Sequence, residues 1–284
     1  MLIPGVLLVL YFSYVPIAGN VIAFMNYQPL AGLLRSKWVG FSNFSYLFKL
    51  PGTFQIIWNT VYIATMKIVL GLVFPIALTL LMNEVASRKF KRTLQTLIYI
   101  PHFMSWIILS GIFLALLSLN GPLNTIIKTL GFQPVYFLGN NAVFPFTMAF
   151  TDTWKETGFS TIIYMAALTS IDPSLFESAE VDGANRWQMV WHISLPGILP
   201  IIILMGTLSL GNILNAGFEQ IFTLYSPQVY KSGDIIDTFV YRLGMIQAQY
   251  GPATAMGLFK SVISFGLISL SYFLASKFAN YQIF

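Results

Sequence analysis

The chain has 284 residues, of which 56% are hydrophobic and 9% charged, and its mean hydropathy is +0.74. That is more apolar surface than a water-soluble domain buries, so a polytopic membrane protein is expected; the diffuse net charge of +5 forms no basic stripe and argues against nucleic-acid binding. With no cysteine there are no disulfides, thiolate metal sites or cysteine nucleophiles, and His102 and His192 lack a second ligand four residues away that would suggest zinc.

Residues 1–34 carry no charge, and 1–24 suffice to cross a bilayer, which takes about 20 apolar residues. A cleaved signal peptide is the alternative, but the run lacks a basic leading region and outlasts a signal core, so a retained first span is expected. Further apolar windows fall at 54–83, 96–119, 143–168, 196–219 and 252–276. The expected fold is therefore an all-α polytopic membrane protein with six transmembrane helices, one membrane domain over 1–284. Trp38, Phe41, Phe44, Tyr46 and Phe48 follow span one, as interfacial anchors do, and 41–48 is expected to lie along the outer surface. Arg88, Lys89, Lys91 and Arg92 cluster in the short loop between spans two and three, which marks that loop as cytoplasmic. Arg35, Lys37, Lys49, Lys128, Lys231 and Arg242 fall on the opposite side, so density near the membrane decides, not the total. Six spans then place both termini and the 169–195 loop in the cytoplasm, with 25–53, 120–142 and 220–251 outside.

Span four carries Asp152, Lys155 and Glu156 about ten residues in, roughly 15 Å deep. Asp152 and Lys155, three apart, can neutralise one another as a structural pair or form a polar pathway wall. Lys67 and Lys260 stand as lone intramembrane cations and receive no role.

The 169–195 loop is the most informative segment. Asp172 suits a helix N-cap and Pro173 the first helical position; Gly183 is a natural left-handed stop. Asn185 with Gln188 three residues on forms a capping box for a second short helix, and Pro196 marks the start of span five. Glu177 and Glu180 neighbour each other on one face and, with Asp182, present acceptors to a partner. Ala179, Gly183 and Ala184 permit close approach, and Arg186 can pair back to Asp182 or to that partner. A plain acidic loop kept for solubility would not account for the whole spacing.

That spacing, Glu177-Ser178-Ala179-Glu180-Val181-Asp182-Gly183 and, after nine residues, Ile193-Ser194-Leu195-Pro196, resembles the EAA loop of ATP-binding-cassette importer permeases. Ser178 replaces one small residue by another. Val39-Gly40-Phe41-Ser42-Asn43-Phe44, Asn59-Thr60 and Trp154-Lys155 are similar to carbohydrate-importer permeases of the maltose-transporter type. So is the run Ala167-Leu168-Thr169-Ser170-Ile171-Asp172-Pro173. The run from Gly217 to Tyr225, followed by Asp234-Ile235-Ile236-Asp237-Thr238, looks like the LplB/YteP branch, which imports oligosaccharides released from complex polysaccharides. Tyr225-Ser226-Pro227 stands where that wider group has T-G-G-P, which argues against naming maltose or glycerol phosphate.

The resemblance implies a non-enzymatic permease subunit of a bacterial cell membrane, forming half of an oligosaccharide pathway. It implies a second homologous permease, an ATPase dimer that binds ATP and magnesium, an extracytoplasmic solute-binding protein and surrounding lipid. It makes Glu177, Ala179, Glu180, Asp182, Gly183, Ala184, Arg186, Ile193, Leu195 and Pro196 the ATPase-coupling residues. The chain has no phosphate loop of its own: Gly257-Leu258-Phe259-Lys260-Ser261 lacks the required spacing. For the pathway, Asn212, Asn215 and Glu219 share one helical face near the outer end of span five, with Phe218 and Trp154 available to stack on a sugar. Interhelical hydrogen bonding explains such amides equally well. A secondary, ion-coupled transporter is the alternative class, but it leaves the acidic knob unexplained. No catalytic motif supports an intramembrane enzyme.

Overall fold

The computed structural model describes residues 2–278, with side chains as far as Phe273. Span one, α1 (Ile3–Phe24), widens into a π-turn at Leu10–Tyr14, where the Val15 N–H reaches back to the Leu10 carbonyl. That turn accommodates Pro16, whose ring lacks an N–H. Residues 2–18 are exposed, and packing within the chain begins at Gly19. A two-residue antiparallel ladder pairs Met25 with Trp38 and Asn26 with Lys37, a small departure from the expected all-helical fold. The short helix α2 (Ser42–Lys49) then folds back on the end of α1. Asn43 Nδ2 donates to the carbonyls of Ala23 and Met25, at 2.8 and 3.0 Å. The Phe24 ring stacks on Trp38 and meets Phe41 edge-on, so part of the expected interfacial aromatic belt closes over the end of span one.

The long helix α3 (Thr53–Asn83) has 31 residues, about 46 Å at 1.5 Å per residue. Span three is not straight: α4 (Arg88–Phe103) and α5 (Trp106–Leu116) meet at 105°. Pro101 has no N–H to continue a helical ladder, and Ser105 starts the new helix by accepting the Ile108 N–H. After α6 (Pro122–Thr129), span four is α7 (Phe144–Thr169), which packs along α3. Its charged residues make it less apolar than the other spans, yet 26 residues reach about 39 Å. Gly158 lets α4 approach α7, since a Cβ there would lie 1.9 Å from the Ile98 carbonyl oxygen.

The loop helix α8 (Pro173–Val181) leaves α7 at 69°, and α9 (Arg186–Leu210) follows. The 220–251 segment, expected on the outer side, packs closely against the other helices. It contains α10 (Phe218–Leu224) and α11 (Ile236–Tyr241) and leads to α12 (Tyr250–Phe278). Its Ile221, Leu224, Val229, Ile235, Ile236 and Phe239 are buried and supply much of two core clusters. The remaining core comes from the first halves of α3, α7 and α12, from Leu109 and Phe113 of α5, and from residues such as Ala23, Leu47 and Leu138 that flank them. Among the described residues four helices have the length and apolarity of membrane spans, and the number rises to six when each of two bent pairs is counted as one span. The molecule is an all-α polytopic membrane protein. The expected placement of residues 279–284 falls outside the described residues.

Candidate functional site

The knob is built by local capping. The Asp172 carboxylate accepts the Ser174 N–H at 2.9 Å, with Pro173 at the first helical position. That backbone bond, followed by one from the Ser174 hydroxyl, holds the Asp172 carboxyl below its ordinary range. At the other end α8 stops in a Schellman pattern. The Ala184 N–H reaches the Ala179 carbonyl at 2.9 Å and the Gly183 N–H that of Glu180 at 3.1 Å, with Gly183 at φ +80°. Asn185 and Gln188 exchange reciprocal bonds of 2.7 and 3.0 Å, the capping box read from the sequence.

The second helix does not end before Pro196. It continues through a π-turn at Val190–Ser194, where the Leu195 N–H bonds the Val190 carbonyl, into span five. The widened turn takes up the proline ring, and the 25-residue rod α9 is about 37 Å long. The second helix of the knob and span five are thus one continuous helix. Ile171 packs so closely on Gly197 that a Cβ there would lie 2.4 Å from its Cδ1.

Glu177, Glu180 and Asp182 are exposed, and among the described residues none forms an ion pair. Arg186 pairs with Glu84 at 3.2 Å, not with Asp182. Both side chains are largely exposed, so the pair adds little stability. It does bring the end of α3, and with it the loop leading to Arg88, to the same end of the bundle as the knob. Two grooves flank α8. One, of about 390 Å³, is lined by Phe176, Glu177, Glu180, Arg186 and Glu84; the other, of about 370 Å³, by Ala179, Asp182, Gly183, Ala184 and Ile193. Leu195 is half-buried and Pro196 exposed where the rod turns apolar.

The expected fifth span, 196–219, is broken. α9 ends at Leu210, and α10 starts at Phe218 after a non-helical stretch that contains Asn212 and Asn215. Those two and Glu219 therefore do not share one helical face. Asn215 bonds locally, its N–H to the Asn212 carbonyl at 2.7 Å and its Oδ1 accepting the Gly217 N–H, and Gly217 adopts φ +88°. Asn212, Asn215 and Glu219 remain exposed, and Phe218 stacks on Phe222 with centroids 5.1 Å apart. Trp154 belongs to another wall. It lines an apolar cavity of about 530 Å³ with Phe74, Leu97, Pro101, Phe150 and Thr157, to which neither α9 nor α10 contributes.

The intramembrane charges are also paired differently from expectation. Asp152 bonds Lys67 Nζ at 3.1 Å, whereas Lys155 bonds Glu156 at 2.7 Å and the His102 carbonyl at 3.1 Å. His102 Nδ1 lies 2.7 Å from the other Glu156 oxygen, and its ring stacks on Phe159. Lys260 is not alone either: it meets both oxygens of Asp237, at 2.6 and 2.8 Å. Asn59 and Thr60, noted only for resemblance, fasten the 220–251 segment to α3. Asn59 Nδ2 donates to the Lys231 and Asp234 carbonyls, both at 3.1 Å, and Thr60 Oγ1 accepts the Ile236 N–H at 2.9 Å. Asp234 also holds Arg242 through two bonds of 3.2 and 2.5 Å. The one signal for these partners in the sequence was that an ionisable side chain within an apolar span needs one.

Residues 67–280 match the family described as "Binding-protein-dependent transport system inner membrane component", and the chain belongs to that family. It is a permease subunit of the ATP-binding-cassette kind, a transport component and not an enzyme, embedded in the membrane. Its whole length is 41% identical to 89% of the polygalacturonan/rhamnogalacturonan transport system permease protein YteP of Bacillus subtilis (strain 168). It is 39% identical, again over its whole length and 90% of the relative, to protein LplB of the same strain. A crystal structure of a bacterial ABC transporter involved in the import of the acidic polysaccharide alginate contains a similar chain. That chain superposes with a TM-score of 0.90 at 38% identity, covering 98% of this chain and 94% of the other. The resemblance to carbohydrate-importer permeases of the LplB/YteP branch is borne out.

Proposed function

We propose that the chain, acting as one domain over 1–284, forms half of the translocation pathway of an importer for oligosaccharides released from polysaccharides. The observation that carries this reading is the acid-faced, doubly capped knob, whose second helix runs on as the rod that ends at the break in span five. A push at α8 reaches that rod through the capped turn at 182–185 and through the close contact of Ile171 with Gly197. YteP and the alginate importer, similar over nearly the whole chain, support a saccharide cargo.

The knob end is cytoplasmic in this reading, with both termini. Arg88, Lys89, Lys91 and Arg92 lie just beyond the Glu84 that pairs with Arg186, so the densest basic cluster and α8 occupy one end of the bundle. A partner ATPase dimer binds ATP and magnesium there and engages Glu177, Glu180 and Asp182, with the grooves beside α8 receiving its side chains. A second homologous permease completes the pathway, and an extracytoplasmic solute-binding protein delivers the sugar to Asn212, Asn215, Phe218 and Glu219. Trp154, exposed on a separate wall, offers a further ring on which the sugar stacks.

The test is reconstitution of both permeases, the ATPase and the binding protein in vesicles, with ATP turnover measured against a panel of polysaccharide fragments. Glu177→Lys is expected to leave the subunit inserted and assembled while abolishing sugar-stimulated turnover. Undiminished stimulation in that variant would refute the role of the knob.

A further inference from the structure

Lys67 is the fifteenth residue of the 31-residue α3, hence about 21 Å from its first residue and midway along the span. Its side chain is only 8% exposed. A cation at that depth is costly, and a buried ion pair seldom stabilises more than apolar side chains of the same volume would. Its placement therefore calls for a reason other than stability.

The contacts of Lys67 Nζ supply one. It donates to Asp152 Oδ1 of α7 at 3.1 Å, to the Ala216 carbonyl in the break at 2.7 Å, and to Gln220 Oε1 of α10. Gln220 is itself fixed, its Nε2 donating to the Met148 carbonyl at 2.9 Å and to Thr151 Oγ1 at 2.7 Å. In a membrane a broken helix must have its freed carbonyls satisfied by neighbouring groups, and Lys67 does this for Ala216. The approach is close enough that a Cβ at Gly217 would lie 2.8 Å from Nζ. The break thus has two sides: Ala216 and Gln220 are buried against Lys67, while Asn212, Asn215 and Glu219 are exposed away from it.

We infer that Lys67 is a positioning residue for the pathway: by holding Ala216 and Gln220 it sets the direction in which Asn212, Asn215 and Glu219 meet the cargo. That Asn212, Asn215 and Glu219 meet a saccharide cargo rests on the reading above; the hold of Lys67 on the break does not.

The chain has no cysteine, so Asn215→Cys gives this subunit a single thiol, and its rate of reaction with a water-soluble maleimide in the assembled transporter is read on this subunit after the chains are separated. Lys67→Met is expected to change that rate by about fivefold or more and to raise the sugar concentration for half-maximal uptake by about tenfold. Lys67→Arg, which keeps a cationic donor, is expected to stay near the wild type in both. Lys67→Met leaves Asp152 unpaired and can fail to assemble, so Lys67→Met with Asp152→Leu, which removes both charges, is measured beside it and is expected to show the same changed labelling and uptake. If the double variant labels and transports as the wild type does, Lys67 merely neutralises Asp152 and the inference falls. Unchanged labelling in Lys67→Met overturns it as well. A wild-type complex that took up no oligosaccharide would defeat the functional reading alone, because the labelling comparison needs no transport.

Discussion

Gly183→Ala isolates the contribution of the Schellman stop. Gly183 sits at φ +80°, and a Cβ there would meet nothing within 4 Å, so the substitution adds backbone strain without a steric clash. Holding an L-residue in the left-handed region costs about 1–2 kcal/mol. Relaxing φ instead would break the bonds from Ala184 to Ala179 and from Gly183 to Glu180, each worth about 0.5–1.5 kcal/mol net, so the molecule gains nothing by that route. A change of that size raises the population of the opened stop roughly five- to thirtyfold. Backbone hydrogen exchange on the assembled transporter should show the Ala184 amide exchanging faster by that factor, and the ratio of sugar-stimulated to basal ATP turnover should fall with it. Gly131→Ala is the control. Gly131 has φ +83° and equally open space, but lies between α6 and α7, away from the knob. It should carry the same strain and leave coupling intact. The reasoning fails if Gly183→Ala exchanges and couples normally, or if Gly131→Ala uncouples to the same degree.

Asn59→Ala removes both donors to the Lys231 and Asp234 carbonyls, leaving the buried Asp234 acceptor unpaired at a cost of about 1–3 kcal/mol. A lowered melting temperature of the solubilised protein is expected, and an unchanged one would show that the 220–251 segment is held otherwise. The Asp172 carboxyl titrates below its ordinary value, so its capping contribution is complete above the unfolded carboxylate pKa of about 4 and is lost as pH falls through the lower folded value. Amide protection in α8 should therefore hold steady from neutral to mildly acidic pH and weaken only in stronger acid. Asp172→Asn, which caps without a charge, should flatten that decline, and an identical profile in both would rule out the cap as its cause.

The knob was legible in the sequence because helix capping is local. Asp172, Gly183, Asn185 and Gln188 each act on backbone within a few residues, so their types and spacing specify the geometry found. The apolar spans were legible for a similar reason, since a bilayer selects for apolar length. The break in span five was not: Asn212, Asn215 and Glu219 have helical spacing, and only the local bonding of Asn215 and the left-handed Gly217 reveal that the helix ends at Leu210. Span three hid its bend likewise, because Pro101 and Ser105 permit a turn that neither compels. The continuation of α9 past Pro196 went unseen because a π-turn has no sequence signature as strong as the proline that it accommodates. Composition and local backbone chemistry, then, fixed the class of protein, its membrane spans and the capped acidic knob. Tertiary structure alone decided which buried charges meet. Lys67 finds Asp152 85 residues away and Gln220 153 residues away, because electrostatic partners inside a membrane are chosen by which helices pack together and not by spacing along the chain.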